Sequence, residues 1–228
     1  WKELLDMLPE GSSDAVSASE SADVTGLSTQ EMTAGLKEAL STATEIAVNA
    51  LGREGGFLDN PAVRIPMPEE LSRVDKGLRK MGQEEMADEF VATLNHAAEQ
   101  AVPVALERFQ GAIEAMTVED AESIITGPED AATQYFRAHS EAALREQFLP
   151  IVQETTANAG VTSSYQNIIK QLGSFSSFLQ PKSLDLDEYV TDEALNGLFE
   201  MVAQEEMKIR QDPVARSSDL LKKVFGGN

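Results

Sequence analysis

No cysteine occurs anywhere in the chain. Disulfides, zinc–thiolate sites, iron–sulfur clusters and cysteine nucleophiles are therefore excluded. His96 and His139 are the two histidines, which leaves little from which to build a zinc site. Neither follows a glutamate at the Glu-x-x-His spacing of di-iron carboxylate bundles. Gly-x-Ser-x-Gly elbows, Walker loops and Gly-x-Gly-x-x-Gly turns are missing as well. No metal and no cofactor is expected.

Basic residues are scarce: 18 Lys and Arg stand against 39 Asp and Glu, a formal charge of −21. A chain of that sign repels phosphate backbones, which counts against nucleic acid as a partner. The same repulsion counts against anionic membrane surfaces. The acid excess has two readings: a solvated, self-repelling surface, or exposure to a saline medium that screens the repulsion. No apolar run approaches the roughly 18 residues of a transmembrane helix. Aromatics make up 6% of the chain, which suits an alanine- and leucine-rich helical protein and not a β-sandwich.

What is present is helical periodicity. In the run 84–116, Phe90, Val91, Leu94, Ala97, Ala98, Ala101, Ala105, Phe109 and Ala112 fall at spacings of three and four, one apolar stripe on a helix. Its central alanines let a neighbouring helix approach closely, and Pro103 predicts a kink. The pattern is all-α, a single-domain multi-helix bundle around a long kinked central helix. Residues 1–8 read as a short amphipathic helix, 9–26 as a flexible, disordered acidic Ser/Ala tether, and 27–228 as the helical domain.

Ser28 and Glu31 form a capping box opening a helix that Gly52 ends, with Met32, Leu36, Ala39, Leu40, Ala43, Ile46, Ala47 and Ala50 inward. The stretch 55–68 holds three prolines and two glycines and reads as a long loop stapled by Phe57, Val63 and Ile65, with 63–65 extended. A short helix is predicted over 69–81. Thr117 opens another that ends at Gly127, and Pro128 starts one running to Pro150 with Ala132, Phe136, His139 and Ala143 inward. Thr191 is expected to cap a helix to Gln211, with Leu195, Leu198, Phe199, Val202 and Ile209 inward. Further helices are predicted over 164–172 and 217–225. Asp185, Asp187 and Asp192 resemble a calcium loop superficially, but Val190 stands where an EF-hand needs glycine; acids at a helix N-terminus explain them.

Several polar residues sit on apolar faces. Arg108 falls within the central stripe, and Glu206 lines up with Leu195, Phe199 and Val202. A buried charge needs a partner, so Arg108 and Glu206 are expected to pair, or to share a network with Arg210. Asn95 and Glu99 lie one turn apart at the stripe's edge, as a polar pocket wall or an interhelical hydrogen bond. Thr133 and Tyr135 belong to the helix after Pro128, and Tyr135 is expected to bury its ring and bond its hydroxyl. Together Asn95, Glu99, Arg108, Thr133, Tyr135, Glu206 and Arg210 form a candidate polar binding network.

The blocks Asn95-His96-Ala97-Ala98-Glu99, Ala115-Met116-Thr117 with Asp120-Ala121, and Ala131-Ala132-Thr133-Gln134-Tyr135-Phe136 resemble an uncharacterised bacterial family. So do Phe148-Leu149-Pro150-Ile151, Tyr189-Val190-Thr191 with Gly197-Leu198-Phe199, and Glu205-Glu206 with Ile209-Arg210 and Pro213. That family is catalogued as a domain of unknown function and consists of exported, largely helical proteins, many of them predicted lipoproteins. The resemblance runs from about residue 27 to residue 225, with His96 where the family pattern has arginine. It implies a helical protein of the bacterial envelope, periplasmic, with Trp1 near a signal-peptide cleavage point; no cysteine stands there to carry a lipid.

The expected function is a non-enzymatic envelope module binding an unknown protein or small-molecule partner in a pocket floored by the polar network. The alternatives are an enzyme with Glu99 or Glu206 as general base and Arg108 or Arg210 holding an anionic substrate, and a scaffold whose polar residues only fix helix register. Oligomeric state, ligand and partner are not legible.

Overall fold

The computed structural model describes residues 28–158 and 185–211. The expected helices over 1–8, 164–172 and 217–225 and the tether over 9–26 lie outside the described residues. Within them the chain is helical, and no strand occurs.

Helix α1 (Thr29–Leu51) opens on the Ser28–Glu31 capping box and stops at Gly52. A 3₁₀ turn (Glu69–Leu71) leads into α2 (Ser72–Lys80). The central run is α3 (Glu84–Ala101), a 3₁₀ turn (Val102–Val104) holding Pro103, and α4 (Ala105–Ala115). Next come α5 (Val118–Thr126), opened by a Thr117–Asp120 capping box, α6 (Ala131–Asn158) and α7 (Leu186–Gln211). Helix α7 packs along α6, α1 and α3, and α6 also lies against α3 and α4.

Close packing follows from residue size. Ala97, Ala98, Ala101 and Ala105 have no exposed surface, so the α3–α4 run presents little more than backbone to its neighbours. Larger side chains fill the space where the helices diverge. The Phe109 ring of α4 lies 5.0 Å from Phe136 of α6 and 6.1 Å from Phe199 of α7. These tilted and edge contacts suit the ring quadrupoles.

Three boundaries differ from the sequence reading. Helix α6 does not end at Pro150 but runs through it. Proline removes one N–H and costs about 3 kcal/mol inside a helix. Here Phe148 and Val152 on either side are fully buried, and burying each is worth about 1.5–3 kcal/mol. Pro150 and Glu146, whose carbonyl loses its partner, are both exposed to water. Helix α7 starts upstream of Thr191, because the Asp185 carboxylate accepts the N–H groups of Asp187 and Glu188 at 3.1 Å each. Thr191 is buried within the helix, its hydroxyl unpaired. Within 63–65, Val63 lies in a turn, its N–H and that of Arg64 both bonded to the Asn60 carbonyl.

Two expected core residues also turn outward. Ile46 is exposed, and the Thr44 side chain is buried instead, bonded to the Leu40 carbonyl. His139 is exposed while Ser140 is buried. Phe136, Ser140, Leu144 and Phe148 repeat every four residues and define the inward line of α6; position 139 falls about 100° away from it.

Candidate functional site

The seven candidate polar residues fall into three separate places. Asn95 and Glu99 grip the loop 52–68. Glu206, Arg210 and Thr133 join three helix ends. Arg108 and Tyr135 line an open groove.

Asn95 is fully buried on α3. Its Oδ1 accepts the Ile65 N–H at 2.8 Å, and its Nδ2 donates to the carbonyls of Ile65 and Val91 at 2.8 Å each. One turn on, Glu99 Oε1 accepts the N–H groups of Phe57 (3.0 Å) and Leu58 (3.3 Å), and its Oε2 lies 3.6 Å from His96 Nδ1. The loop's own turns leave the N–H groups of Phe57, Leu58 and Ile65 without backbone acceptors, and two α3 side chains take them. Phe57 and Ile65 then bury completely. At Gly197 of α7 a Cβ would meet the Phe57 ring at 2.7 Å, so glycine is required for that ring to pass. The far end is tied by the Tyr189 hydroxyl, which donates to the Pro66 carbonyl at 3.2 Å. Burial first, then Glu193, Glu70 and Glu69, pushes that phenol up to about 12.

Glu206, 3% exposed, accepts the N–H groups of Ala132 (3.0 Å) and Thr133 (2.9 Å) and the Thr133 hydroxyl (2.9 Å). It thereby satisfies unpaired donors in the first turn of α6, where a negative charge is favoured. Arg210 meets Glu206 Oε1 through Nε (3.1 Å) and Nη2 (2.9 Å), and Nη2 also donates to the Ile124 carbonyl at the end of α5. The cavity beside this pair holds about 10 Å³, room for about one water. No substrate fits there.

Arg108 does not pair with Glu206. It is exposed, and its Nε donates to Gln147 Oε1 at 3.1 Å. Beyond the 3₁₀ turn the inward line of α4 is Ala105, Phe109 and Ile113, at spacings of four. Position 108 lies about 100° from Phe109 on that helix and so faces water.

Between α4 and α6 lies a groove of about 540 Å³. Helix α4 contributes Glu107, Arg108, Gly111 and Glu114, and α6 contributes Tyr135, His139 and Ser140. The Tyr135 hydroxyl donates to the Ala112 carbonyl at 2.9 Å, and burial, with Asp120 second, raises its pKa. The His139 ring lies 4.2 Å from the Tyr135 ring at a 32° tilt. Its Nδ1 is 2.8 Å from the Tyr135 carbonyl; a carbonyl only accepts, so Nδ1 carries the proton. In the neutral ring Nε2 is then an acceptor. Ser140, 3% exposed, lines the groove with a hydroxyl that has no partner among the described residues. At Gly111 a Cβ would meet nothing within 4 Å.

Sequence reasoning named Arg108, Tyr135 and His139, the last as an inward residue of its helix, and missed Glu107, Gly111, Glu114 and Ser140. Gly111 carried a usable signal. A glycine inside a helix is about 1 kcal/mol worse than alanine, and nothing in the packing here asks for it.

The described residues contain no cluster of three or more side chains fit to hold a metal ion, and no helix among them is long and apolar enough to cross a membrane. No curated protein and no solved structure matches the chain. A family model described as "Protein of unknown function (DUF4197)" matches residues 26–226. With that match covering most of its length, the chain belongs to the DUF4197 family.

Proposed function

We propose that this protein is a non-enzymatic binding module whose site is the α4–α6 groove, taking a small polar ligand. One observation carries this reading: a concavity of about 540 Å³ walled by polar and aromatic side chains, within the size range of ligand sites. The carboxylates considered as general bases support binding over catalysis. Glu99 and Glu206 are buried against backbone N–H groups, where they hold the fold together and face no space for a substrate. They act as the scaffold reading expects, while the groove is a separate feature that a scaffold alone does not need. The bacterial envelope is the compartment this reading adopts, on the resemblance set out above, and cell fractionation checks it.

The test is native mass spectrometry of the protein purified from its own cells, beside Gly111→Trp. Because a Cβ at position 111 meets open space, the indole fills the groove without displacing the core. A small molecule that travels with the wild type and is lost from Gly111→Trp supports the reading. A ligand retained equally by both places the site elsewhere.

A further inference from the structure

We propose that the outer face of α2 is a docking surface for a short acidic segment of a partner protein. The charge of the chain is unevenly spread. Positions 53–80 hold six of its 18 basic residues and five of its 39 acidic ones, which leaves 12 against 34 elsewhere. Outside that stretch each described Lys and Arg side chain has a polar partner: Lys37, Arg108, Arg137, Arg145, Lys208 and Arg210. Within it Arg53, Arg64, Arg73, Lys76 and Lys80 have none among the described residues, and Arg79 alone is paired, with Asp75 and Asp88.

Three of the unpaired cations share one side of a helix. Val74 and Leu78 bury the inner side of α2. At 100° per residue Arg73, Lys76 and Lys80 fall on the opposite side, within about 60° of one another, and all three are exposed. From the first to the last is about 10 Å along the axis. Met81, 57% exposed, follows at the C-terminal end of that face.

The folding of α2 does not ask for this arrangement. Arg73–Lys76 and Lys76–Lys80 are like-charge neighbours at spacings of three and four, which destabilises a helix. Arg73 also stands in the first turn, where the macrodipole disfavours a cation. Residues that work against the element carrying them are the mark of a site serving something outside it. An acidic occupant relieves the repulsion and supplies the missing partners at once.

Size decides the class of occupant. Glu69 and Glu70 precede α2, Glu84 and Glu85 follow it, and all four are exposed. An anionic membrane or a nucleic-acid duplex is wide enough to meet those carboxylates too, within the roughly 8 Å over which charges act at physiological salt. About three residues of extended chain span the cationic face and leave the flanking acids outside. Met81 offers such a segment an apolar contact, methionine being enriched at protein interfaces.

The experiment is a ¹H–¹⁵N NMR titration of the full chain with N-acetylated tetraglutamate, with the same peptide flanked by leucines, and with phosphatidylglycerol vesicles. Both peptides are expected to shift the amides of Arg73, Lys76, Lys80 and Gly82 saturably, the leucine-flanked one at lower concentration. Lys76→Gln and Lys80→Gln each weaken binding about two- to fivefold, the range of one exposed ion pair, without lowering the melting temperature. Lys208→Gln, which removes a cation of α7, leaves it unchanged, and Met81→Ser abolishes the advantage of the leucines. Equal weakening by Lys76→Gln and Lys208→Gln is diffuse attraction and overturns the assignment. Vesicles that bind through α2 where the peptides do not make the occupant a lipid surface and overturn it as well. So does a titration in which neither peptide moves the α2 amides.

Discussion

Asn95 pairs with Ile65 as one peptide unit pairs with another. Its side-chain oxygen accepts the Ile65 N–H and its amide nitrogen donates to the Ile65 carbonyl, both at 2.8 Å. The loop 52–68 thus gains, from a single helix residue, the pairing that a neighbouring strand would give it. Asn95→Ala leaves two buried backbone groups unsatisfied, at about 1–3 kcal/mol each. A loss of about 2–6 kcal/mol is expected in urea unfolding. Asn95→Asp sets a carboxylate against two carbonyls and is expected to be worse at neutral pH than Asn95→Ala. Equal stability of the two variants at pH 7 would mean that the Nδ2 bonds contribute little.

Glu206 and Arg108 are expected to behave oppositely on substitution, although both fall on the apolar stripes read from sequence. Glu206→Ala strips the first turn of α6 of its acceptor and takes from Arg210 its carboxylate partner. Breaking a buried pair this way costs about 3–5 kcal/mol. Arg108→Ala removes an exposed side chain bonded to Gln147 and is expected to change stability by less than about 0.5 kcal/mol. Amide exchange adds a local readout, since the Ala132 and Thr133 protons should exchange faster in Glu206→Ala and unchanged in Arg108→Ala.

Acid should weaken the start of α5. The Thr117 backbone N–H, with the Thr117 hydroxyl second, holds the Asp120 carboxyl below its usual value. A carboxylate depressed in the folded state contributes stability that is present above its unfolded pKa and lost as pH falls through the folded one. Melting temperature is therefore expected to drop below about pH 4, and Asp120→Asn should flatten part of that dependence. An unaltered acid limb in Asp120→Asn would assign the loss to other carboxylates.

Gly111 is the position where stability and binding should part. Gly111→Ala has room for its Cβ, and replacing an interior helical glycine is worth about 0.5–1 kcal/mol. A higher melting temperature with an unchanged fold is expected. A destabilised Gly111→Ala would reveal a neighbour that fills the groove in solution.

Local chemistry was legible in the sequence; long-range geometry was not. Ser28–Glu31 and Thr117–Asp120 cap their helices as their spacing dictates, because a capping box involves only one turn of chain. Glu206 stood out as a charge among Leu195, Phe199 and Val202, and Arg210 lay within reach at four residues. That its other partners are the first N–H groups of α6, more than 70 positions earlier in the chain, depends on how α6 and α7 cross. Arg108 shows the same limit: past Pro103 the inward line narrows to Ala105, Phe109 and Ile113, about 100° from position 108, and which face of α4 meets its neighbours depends on long-range packing. Asn95 and Glu99 were read as either a pocket wall or a bond between helices, and their partners turned out to be the loop backbone, which carries no sequence signature for them. The groove is illegible for a related reason: it is defined by the small or absent side chains of Gly111 and Ser140, which leave no mark in hydrophobic periodicity.

The most direct test of the central claim, that the α4–α6 groove binds a ligand, is a comparison of amide shift maps for wild type and Gly111→Trp titrated with the molecule that co-purifies with the native protein. The groove reading requires shifts centred on Gly111, Tyr135, His139 and Ser140 in the wild type and their disappearance in Gly111→Trp. Shifts centred on another face, or the same map in both proteins, would contradict it.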